Sequence, residues 1–299
     1  MSPPPTRPDG PVVVAIGGGH GLASTLRAAR SYAGSITAIV SVADDGGSSG
    51  RLRAALPGMP APGDLRRCLS ALAADGSLLG AALEHRFDQG DLEGHALGNL
   101  LIAGLADRTH DFVAAIDEVA RLVGAVGRVL PAATEPVTLR ADRVGVDAAV
   151  GQVAVQEAGG IERLRLEPPD PAVPDEAVAA IAEADQVVIG PGSLYTSVLA
   201  AAITPALCAA IAGTDAQRVY VGNLQPQVPE TTGYDLAAHV AALRDHGVVV
   251  DHVLAHGTHG TGSAPSVPTT VTPLASDDGD VHDPKRLAAA LLDLWSSRD

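Results

Sequence analysis

Residues 12–22, VVVAIGGGHGL, decide the fold. The apolar, β-branched run that ends at Ile16 predicts a buried strand, and the glycines after it predict a tight turn into a helix. A second apolar run at 36–42 predicts the next strand. This order of strand, loop, helix and strand is typical of parallel sheets. We therefore predict an α/β fold, a Rossmann-like three-layer sandwich with a mostly parallel sheet.

The middle of the chain breaks this pattern. Between residues 137 and 166, valines alternate with polar residues and glycines interrupt the run, which predicts two or three antiparallel strands. Parallel character returns with strands predicted at 186–189, 218–221 and 248–254. We therefore expect a single domain over 12–299 with a β insertion at 137–166, preceded by a Pro-rich, disordered tail at 1–11.

Composition limits the classes of partner. The 299-residue chain is 46% hydrophobic but only 2% aromatic, and its formal net charge is −15. An acidic chain with few stacking side chains is poorly suited to nucleic acid or to an anionic membrane surface. Backbone N–H groups can still bind a small anionic ligand. No apolar run reaches membrane-spanning length and no signal-peptide core is present, so we expect a cytoplasmic protein without membrane insertion.

A glycine-rich loop follows the first predicted strand. Glycine lets the backbone turn tightly and approach a phosphate, and the next helix points its N–H groups at an anion placed there. The dinucleotide-binding fingerprint is incomplete, because its third glycine would fall at Leu22. A ligand-free turn and a phosphate site therefore carry equal weight. The candidate ligand-binding residues are Gly17, Gly18, Gly19, His20 and Gly21.

A second polar stretch, DDGGSSGRLR at 44–53, follows the second predicted strand, and we predict a loop there. Carboxylates at a strand end can hold a ribose hydroxyl, a reacting hydroxyl or Mg²⁺, and Asp44 and Asp45 are the candidates. Hydroxyl and guanidinium groups suit phosphate oxygens, which makes Ser48, Ser49 and Arg53 candidate ligand-binding residues. Ser48 also fits a GxSxG pattern, but three residues separate the motif from the strand, which disfavours a nucleophile elbow.

Two further motifs also place polar residues beside glycines. GHALGNLL at 94–101 lies in a predicted helix, 95–106, which would place His95 and Asn99 on one face. GPGSLYTS at 190–197 follows a predicted strand and leads into a helix, as the first loop does. Two such loops are expected on either side of a ligand crevice where strand order reverses. The candidates here are Asn99, Gly190, Pro191, Gly192, Ser193 and Thr196.

A fifth polar loop leaves the strand predicted at 218–221. Its amides and hydroxyls suit recognition of a base or a sugar, although a plain surface loop punctuated by prolines carries equal weight. The candidate ligand-binding residues are Asn223, Gln225 and Thr232.

Taken in order, GGGHGL, SVADDGGSSGRLR, PGDLRRCLSAL, GHALGNLL and GPGSLYTS resemble the gluconeogenesis factor family, from about Val12 to Leu254. That family is related to the 2-phospho-L-lactate transferases of deazaflavin coenzyme synthesis. The resemblance implies a crevice for a UDP-sugar, notably UDP-N-acetylglucosamine, or for an NAD-like dinucleotide. It also implies a role in cell shape and cell-wall metabolism during gluconeogenic growth. From the transferase relatives it implies Mg²⁺ at Asp44 and Asp45.

Three hypotheses from different classes follow. The first is a regulatory protein that binds a UDP-sugar or another nucleotide, is not an enzyme, and signals to cell-wall regulatory proteins. The second is a Mg²⁺-dependent phosphoryl or nucleotidyl transferase, motivated by the acidic-then-basic order of residues 44–53. The third, an NAD-dependent oxidoreductase, is disfavoured by the incomplete fingerprint. The sequence requires no cofactor, and it leaves open whether the chain forms a homo-oligomer.

Overall fold

A computed structural model describes residues 9–257 and 266–298, so the tail predicted at 1–11 lies mostly outside the described residues. The strands are β1 (Val12–Gly17), β2 (Ser35–Val40), β3 (Arg128–Pro131), β4 (Thr138–Arg143), β5 (Val146–Val150), β6 (Ile161–Glu167), β7 (Gln186–Ile189), β8 (Gln217–Val221), β9 (His252–Ala255) and β10 (Thr269–Val271).

The helices lie between and after the strands, with five in succession between β2 and β3. They are α1 (Gly19–Ala29), α2 (Gly47–Ala55), α3 (Gly63–Leu72), α4 (Leu78–Ala82), α5 (Leu97–Thr109), α6 (Phe112–Val123), α7 (Gln152–Gln156), α8 (Asp175–Ala182), α9 (Ala200–Ala202), α10 (Pro205–Gly213), α11 (Leu236–Asp245) and α12 (Pro284–Ser296). A short 3₁₀ helix spans Gly90–Leu92, and a π-helix at Leu194–Leu199 runs directly into α9.

Seven strands form one parallel sheet in the order β10-β9-β8-β7-β1-β2-β3. The chain leaves β1 toward β2 on one side and leaves β7 toward β8 on the other. Because parallel crossovers are right-handed, their helices lie on opposite faces of the sheet. The loops after β1 and β7 therefore open a crevice where the strand order reverses. The prediction of a mostly parallel, Rossmann-like α/β sheet is confirmed.

The centre of the sheet is aliphatic. Val13, Val14, Ala15 and Ile16 of β1 have no solvent exposure, as expected for a strand covered on both faces. No single described helix is long and apolar enough to cross a lipid bilayer. The bent pair Leu194–Ala202 and Pro205–Gly213, with 78° between its halves, meets the length and composition criteria only when the two are joined.

The inserted segment forms a second, antiparallel sheet in the order β5-β4-β6, which confirms the antiparallel strands expected between 137 and 166. Helix α7 within it was not predicted. Gly151, with φ of 97°, turns the chain from β5 into this helix. The backbone N–H groups of Gln152 and Val153 then donate to the two carboxylate oxygens of Asp45, at 2.8 and 3.0 Å. Asp45 thereby fixes the insertion against the main sheet.

Three local predictions were wrong. The loop predicted at 44–53 becomes helical from Gly47, because Ser48, Ser49 and Leu52 are buried against the protein and packing outweighs the low helix propensity of this stretch. The helix predicted at 95–106 begins only at Leu97. The strand predicted at 248–254 begins at His252, because the Val248 N–H turns back to the Leu243 carbonyl at the end of α11, at 2.9 Å.

Candidate functional site

The loops at the carboxyl ends of the central strands enclose a cavity of about 440 Å³. Its lining combines glycines from both glycine-rich loops with charged, amide and hydroxyl side chains. The lining residues are Gly18, Gly19, His20, Gly21, Asp44, Gly46, Gly47, Ser48, Ser49, Gly63, Asp64, Arg66, Arg67, Arg86, Asn99, Gln152, Gln156, Gly192, Ser193, Thr196, Ser197 and Gln227. We call this cavity the crevice. Its volume lies within the usual range for small-molecule sites.

The two glycine-rich loops touch each other at the head of the crevice. A Cβ on Gly21 would overlap the carbonyl oxygen of Pro191, so a glycine is required there for the close approach of the two backbones. The Thr25 hydroxyl of α1 donates to the Gly190 carbonyl at 2.9 Å. Gly190 and Pro191 therefore join the loops, and neither lines the crevice.

In the second loop, a carboxylate from elsewhere in the chain occupies the start of the helix. Glu230 Oε1 accepts from the backbone N–H groups of Tyr195 and Thr196, at 2.7 and 3.4 Å, and Oε2 accepts from the Thr196 hydroxyl at 2.9 Å. Burial raises the pKa of Glu230 despite these three donors. An internal side chain thus sits where the sequence predicted a ligand phosphate.

The first loop is met by a different carboxylate, Asp64 in the first turn of α3. A Cβ on Gly18 would lie 2.5 Å from Asp64 Oδ2, and the Gly19 backbone N–H stabilises the charged form. Arg67 donates to Asp64 Oδ1 at 2.8 Å. Burial nevertheless raises the pKa of Asp64, and the nearby charge of Asp44 raises it further.

Asp44 and Asp64 make one end of the crevice acidic. A Cβ on Gly63 would lie 2.6 Å from both Asp44 Oδ2 and Ser49 Oγ, so these oxygens lie together beside the residue that precedes Asp64. The Asp44 carboxylate also accepts from the Gly46 N–H at 3.0 Å, which turns the chain into α2. This end therefore presents two carboxylates and a hydroxyl within a small space.

Ser48 contacts Asn99, another predicted site residue, and also His95. Its Oγ lies 3.0 Å from His95 Nδ1 and accepts from Asn99 Nδ2 at 3.1 Å. His95 precedes α5, so the prediction that it shares a helical face with Asn99 was wrong, although the hydroxyl brings the two together. Partial burial and the charge of Arg51 lower the pKa of His95, which favours neutral imidazole. Ser48 lies in the first turn of α2 rather than directly off a strand, so it forms no nucleophile elbow.

Buried polar atoms without partners concentrate in the crevice. Among the residues that the structure describes, eight buried side-chain N and O atoms have no hydrogen-bond partner, and five of them belong to crevice residues. These five are Arg66 Nε, Arg66 Nη1, Arg67 Nε, Asn99 Oδ1 and Gln227 Oε1. Burying a polar group without a hydrogen-bond partner costs free energy. The accumulation of such atoms in one cavity therefore indicates a binding site for a polar ligand.

A family model described as 2-phospho-L-lactate transferase CofD matches residues 13–277. The chain belongs to this family. It is 45% identical to the gluconeogenesis factor of Halalkalibacterium halodurans over 82% of the chain and 77% of that protein. It is 42% identical to the gluconeogenesis factor of Bacillus subtilis over 79% of the chain and 75% of that protein. A crystal structure described as a UPF0052 family member from Bacillus halodurans superposes with a TM-score of 0.87 at 38% identity, covering 94% and 98% of the two chains.

The structure brings most of the predicted site residues to the crevice. Those that line it are Gly18, Gly19, His20, Gly21, Asp44, Ser48, Ser49, Asn99, Gly192, Ser193 and Thr196. Those that lie outside its lining are Gly17, Asp45, Arg53, Gly190, Pro191, Asn223, Gln225 and Thr232.

Several of the predicted residues that do not line the crevice form hydrogen bonds with other parts of the protein. Asn223 accepts from the Gly192 N–H and donates to the Gly192 carbonyl, both at 2.9 Å. Arg53 donates to the carbonyls of Asp44 and Val137, at 3.4 and 3.1 Å. Thr232 donates to the Pro229 carbonyl at 3.0 Å, and Gln225 is exposed.

Sequence reasoning missed the residues that α3 contributes: Asp64, Arg66 and Arg67. One signal was available, because arginine is disfavoured near the positive N-terminus of a helix, yet two arginines follow Asp64 at the start of α3. Gln152 and Gln156 were also missed. They reach the crevice only because Asp45 fixes α7 there, which is a tertiary contact that no local pattern encodes.

Proposed function

We propose that the crevice binds a nucleotide sugar, UDP-N-acetylglucosamine or a close relative, and that the chain acts as a cytoplasmic regulator of cell-wall metabolism and cell shape during gluconeogenic growth. In this proposal cell-wall regulatory proteins recognise the ligand-bound state, and the chain forms homo-oligomers. The observation that carries it is the set of unpartnered buried polar atoms on residues that line the crevice. The position of the crevice, outside the carboxyl ends of β1 and β7, supports it.

The amides suit the uncharged part of such a ligand. Asn99 Oδ1 and Gln227 Oε1 are acceptors without partners, and a sugar or a base edge offers the hydroxyl and N–H donors they need. Gln227 is itself oriented by a bond from its Nε2 to Ser193 Oγ at 3.0 Å. Specificity for a polar ligand follows, because a ligand without these donors leaves the acceptors unpaired.

Two glutamines in one loop provide a matched test by calorimetry. Gln227→Ala should weaken binding of UDP-N-acetylglucosamine about 10-fold or more, because it removes a crevice acceptor. Gln225→Ala, two residues away and exposed, should bind as the native protein does. NAD and GDP serve as comparators and should bind more weakly. Equal affinity for all three ligands, or equal loss in both variants, would contradict the proposal.

The acidic end of the crevice supports a second candidate, a Mg²⁺-dependent phosphoryl or nucleotidyl transferase. Within the described residues, no three His, Cys, Asp or Glu side chains are placed to hold a metal ion. The pair Asp44 and Asp64 nevertheless fits Mg²⁺, which commonly takes one or two carboxylates and completes its shell with water and substrate phosphates. Asp45 does not suit this role, because both of its carboxylate oxygens accept from α7. Bound Mg²⁺ would neutralise phosphate charge during transfer.

Phosphorus NMR separates the two candidates. The regulator should hold a UDP-sugar unchanged over hours with Mg²⁺ and a mixture of hydroxyl acceptors present. The transferase should form a new phosphorus species only when Mg²⁺ is added. Asp44→Asn should abolish that product, whereas Asp215→Asn, an exposed residue at the opposite end of the sheet, should leave it unchanged. Product formed by the Asp44→Asn variant at the native rate would exclude the transferase described here.

A further inference from the structure

Arg66 is an unusually placed charge. Its side chain is only 2% exposed, and burial lowers the pKa of its guanidinium. An ion-pair contact joins Nη2 to Glu84 Oε2 at 3.2 Å, but Nε and Nη1 have no hydrogen-bond partner among the described residues. A buried arginine is normally paired and fully hydrogen-bonded, because desolvating its charge is costly. This guanidinium therefore has two unused donors, and its residue lines the crevice.

The surroundings of Arg66 add positive charge. Arg67 and Arg86 also line the crevice, and both act electrostatically on Arg66. Arg67 Nε lacks a partner as well, although its Nη1 bonds to Asp64. The partner of Arg66, Glu84, is 44% exposed and is therefore screened by water. Glu84 pairs with Arg66 and Asp64 pairs with Arg67, so two carboxylates face three guanidinium groups.

The backbone is shaped to keep Arg66 where it is. A Cβ on Gly98, in the first turn of α5, would lie 2.5 Å from Arg66 Cγ and 3.0 Å from the Leu83 carbonyl oxygen. Glycine at 98 therefore leaves the channel through which the arginine stem passes. An arginine with a purely structural role is expected to donate hydrogen bonds to nearby carbonyl groups. Arg30 does so with the carbonyls of Ala71 and Ala73.

We infer that Arg66, assisted by Arg67 and Arg86, forms an anion subsite of the crevice that takes a phosphate or carboxylate group. The inference rests on the proposed function, which places the ligand in the crevice. It adds that the ligand presents a negatively charged group to Arg66. Guanidinium donors match the oxygens of such groups, so an anion within reach would satisfy the unpaired Nε and Nη1 after a small turn of the side chain. The anion comes either from the diphosphate of the nucleotide or from a second, acidic molecule.

The test uses inorganic pyrophosphate as the probe and the full-length chain. Arg66→Met should bind pyrophosphate about 10- to 100-fold more weakly than the native protein by calorimetry. Its urea unfolding midpoint should be unchanged or higher, since the variant removes a poorly compensated buried charge. Arg108→Met, the same change at an exposed position near the end of α5, should alter neither quantity.

Gly98→Ala provides a second route to the same subsite, because it displaces the arginine stem without removing charge. It should weaken pyrophosphate binding as well. Competition between pyrophosphate and UDP-N-acetylglucosamine would assign the subsite to the nucleotide diphosphate, and simultaneous binding would assign it to a second acidic ligand.

Native-like pyrophosphate affinity in Arg66→Met would overturn the inference, and so would a clear loss of its stability, which would make Arg66 structural. If the proposed function is wrong and the anion subsite is right, the native protein would bind pyrophosphate through Arg66 but would bind no nucleotide sugar.

Discussion

The two glycine-rich loops at the head of the crevice follow neighbouring parallel strands, yet their helix starts are used differently. Both face an internal carboxylate, Asp64 at the first loop and Glu230 at the second. Asp64 lines the crevice and lies near Asp44, whereas Glu230 lies outside its lining. Both loops contribute to the crevice lining, but only at the first loop does the carboxylate at the helix start line the crevice as well.

Aromatic residues account for much of this difference. Of the four tyrosines in the chain, Tyr195, Tyr220 and Tyr234 gather around the second loop. The hydroxyls of Tyr195 and Tyr234 lie 2.8 Å apart, and the Tyr220 hydroxyl lies 2.8 Å from His239 Nδ1. The first loop has no aromatic contact of this kind within the described residues. We therefore expect substitutions of Glu230 and of these tyrosines to lower stability.

The largest effect should come from Glu230→Ala. The change leaves two buried backbone N–H groups and the Thr196 hydroxyl without their acceptor, so the free energy of unfolding should fall by about 3 kcal/mol. Urea unfolding at neutral pH measures this. Glu230→Gln keeps one carbonyl acceptor and should lose clearly less. A loss below about 1 kcal/mol for Glu230→Ala would remove the distinction between the two loops.

Acid should weaken the second loop through His239. Burial lowers the pKa of His239 from 6.5 to about 4, so the folded state binds fewer protons than the unfolded state between these values. Stability should therefore be lost as the pH falls through this window, by up to about 3 kcal/mol from this residue. His239→Gln should show a shallower pH dependence of unfolding than the native protein. His282, which is also buried, precedes α12 and has a pKa lowered to about 4, and it provides the matched variant.

The sheet could be predicted from sequence because its strands carry their own signals. Apolar β-branched runs bounded by glycine predicted β1 and β7. Strand β10 was not predicted, because three residues at a sheet edge give little periodicity. The start of α2 was missed because burial of its serines, not their propensity, makes it helical.

Sequence motifs predicted only those parts of the site that lie within one short segment of the chain. Glycines and hydroxyls beside strand ends were recognisable, but the partner of each loop comes from a distant segment. Asp64 meets Gly18 across 46 positions of sequence, and Glu230 meets Tyr195 across 35. A polar side chain that binds an internal group has the same local sequence as one that binds a ligand. Asn223 was predicted to bind ligand, and in the structure its side chain bonds to the backbone of Gly192, a crevice residue.

A smaller effect should follow from Tyr195→Phe. The change removes a hydroxyl that is bonded to the Tyr234 hydroxyl at 2.8 Å and leaves the ring in place. The free energy of unfolding should fall by about 1 kcal/mol, the usual net value of one such bond. Ligand affinity should be unchanged, because neither tyrosine lines the crevice. A variant that kept native stability but lost nucleotide binding would show that the tyrosine cluster serves the site.

The smallest effect, and one of opposite sign, is expected at the first loop for Asp64→Asn. Asparagine keeps one acceptor oxygen for Arg67 or the Gly19 N–H, and it removes the buried charge and its repulsion with Asp44. The free energy of unfolding at pH 7 should therefore rise by about 1 kcal/mol. Urea unfolding of the native and variant proteins in parallel measures the difference.

The pH dependence of that gain identifies its cause. Burial and the charge of Asp44 raise the pKa of Asp64 above its ordinary 3.8, so its carboxyl binds a proton more tightly in the folded state than in the unfolded state. Native stability should consequently fall as the pH rises from 3.8 through the raised pKa, and the variant should lack this part of the fall. The advantage of Asp64→Asn should therefore shrink as the pH is lowered toward 3.8. A variant less stable than the native protein at pH 7 would mean that Asp64, like Glu230, stabilises its loop, and the two helix starts would then be equivalent.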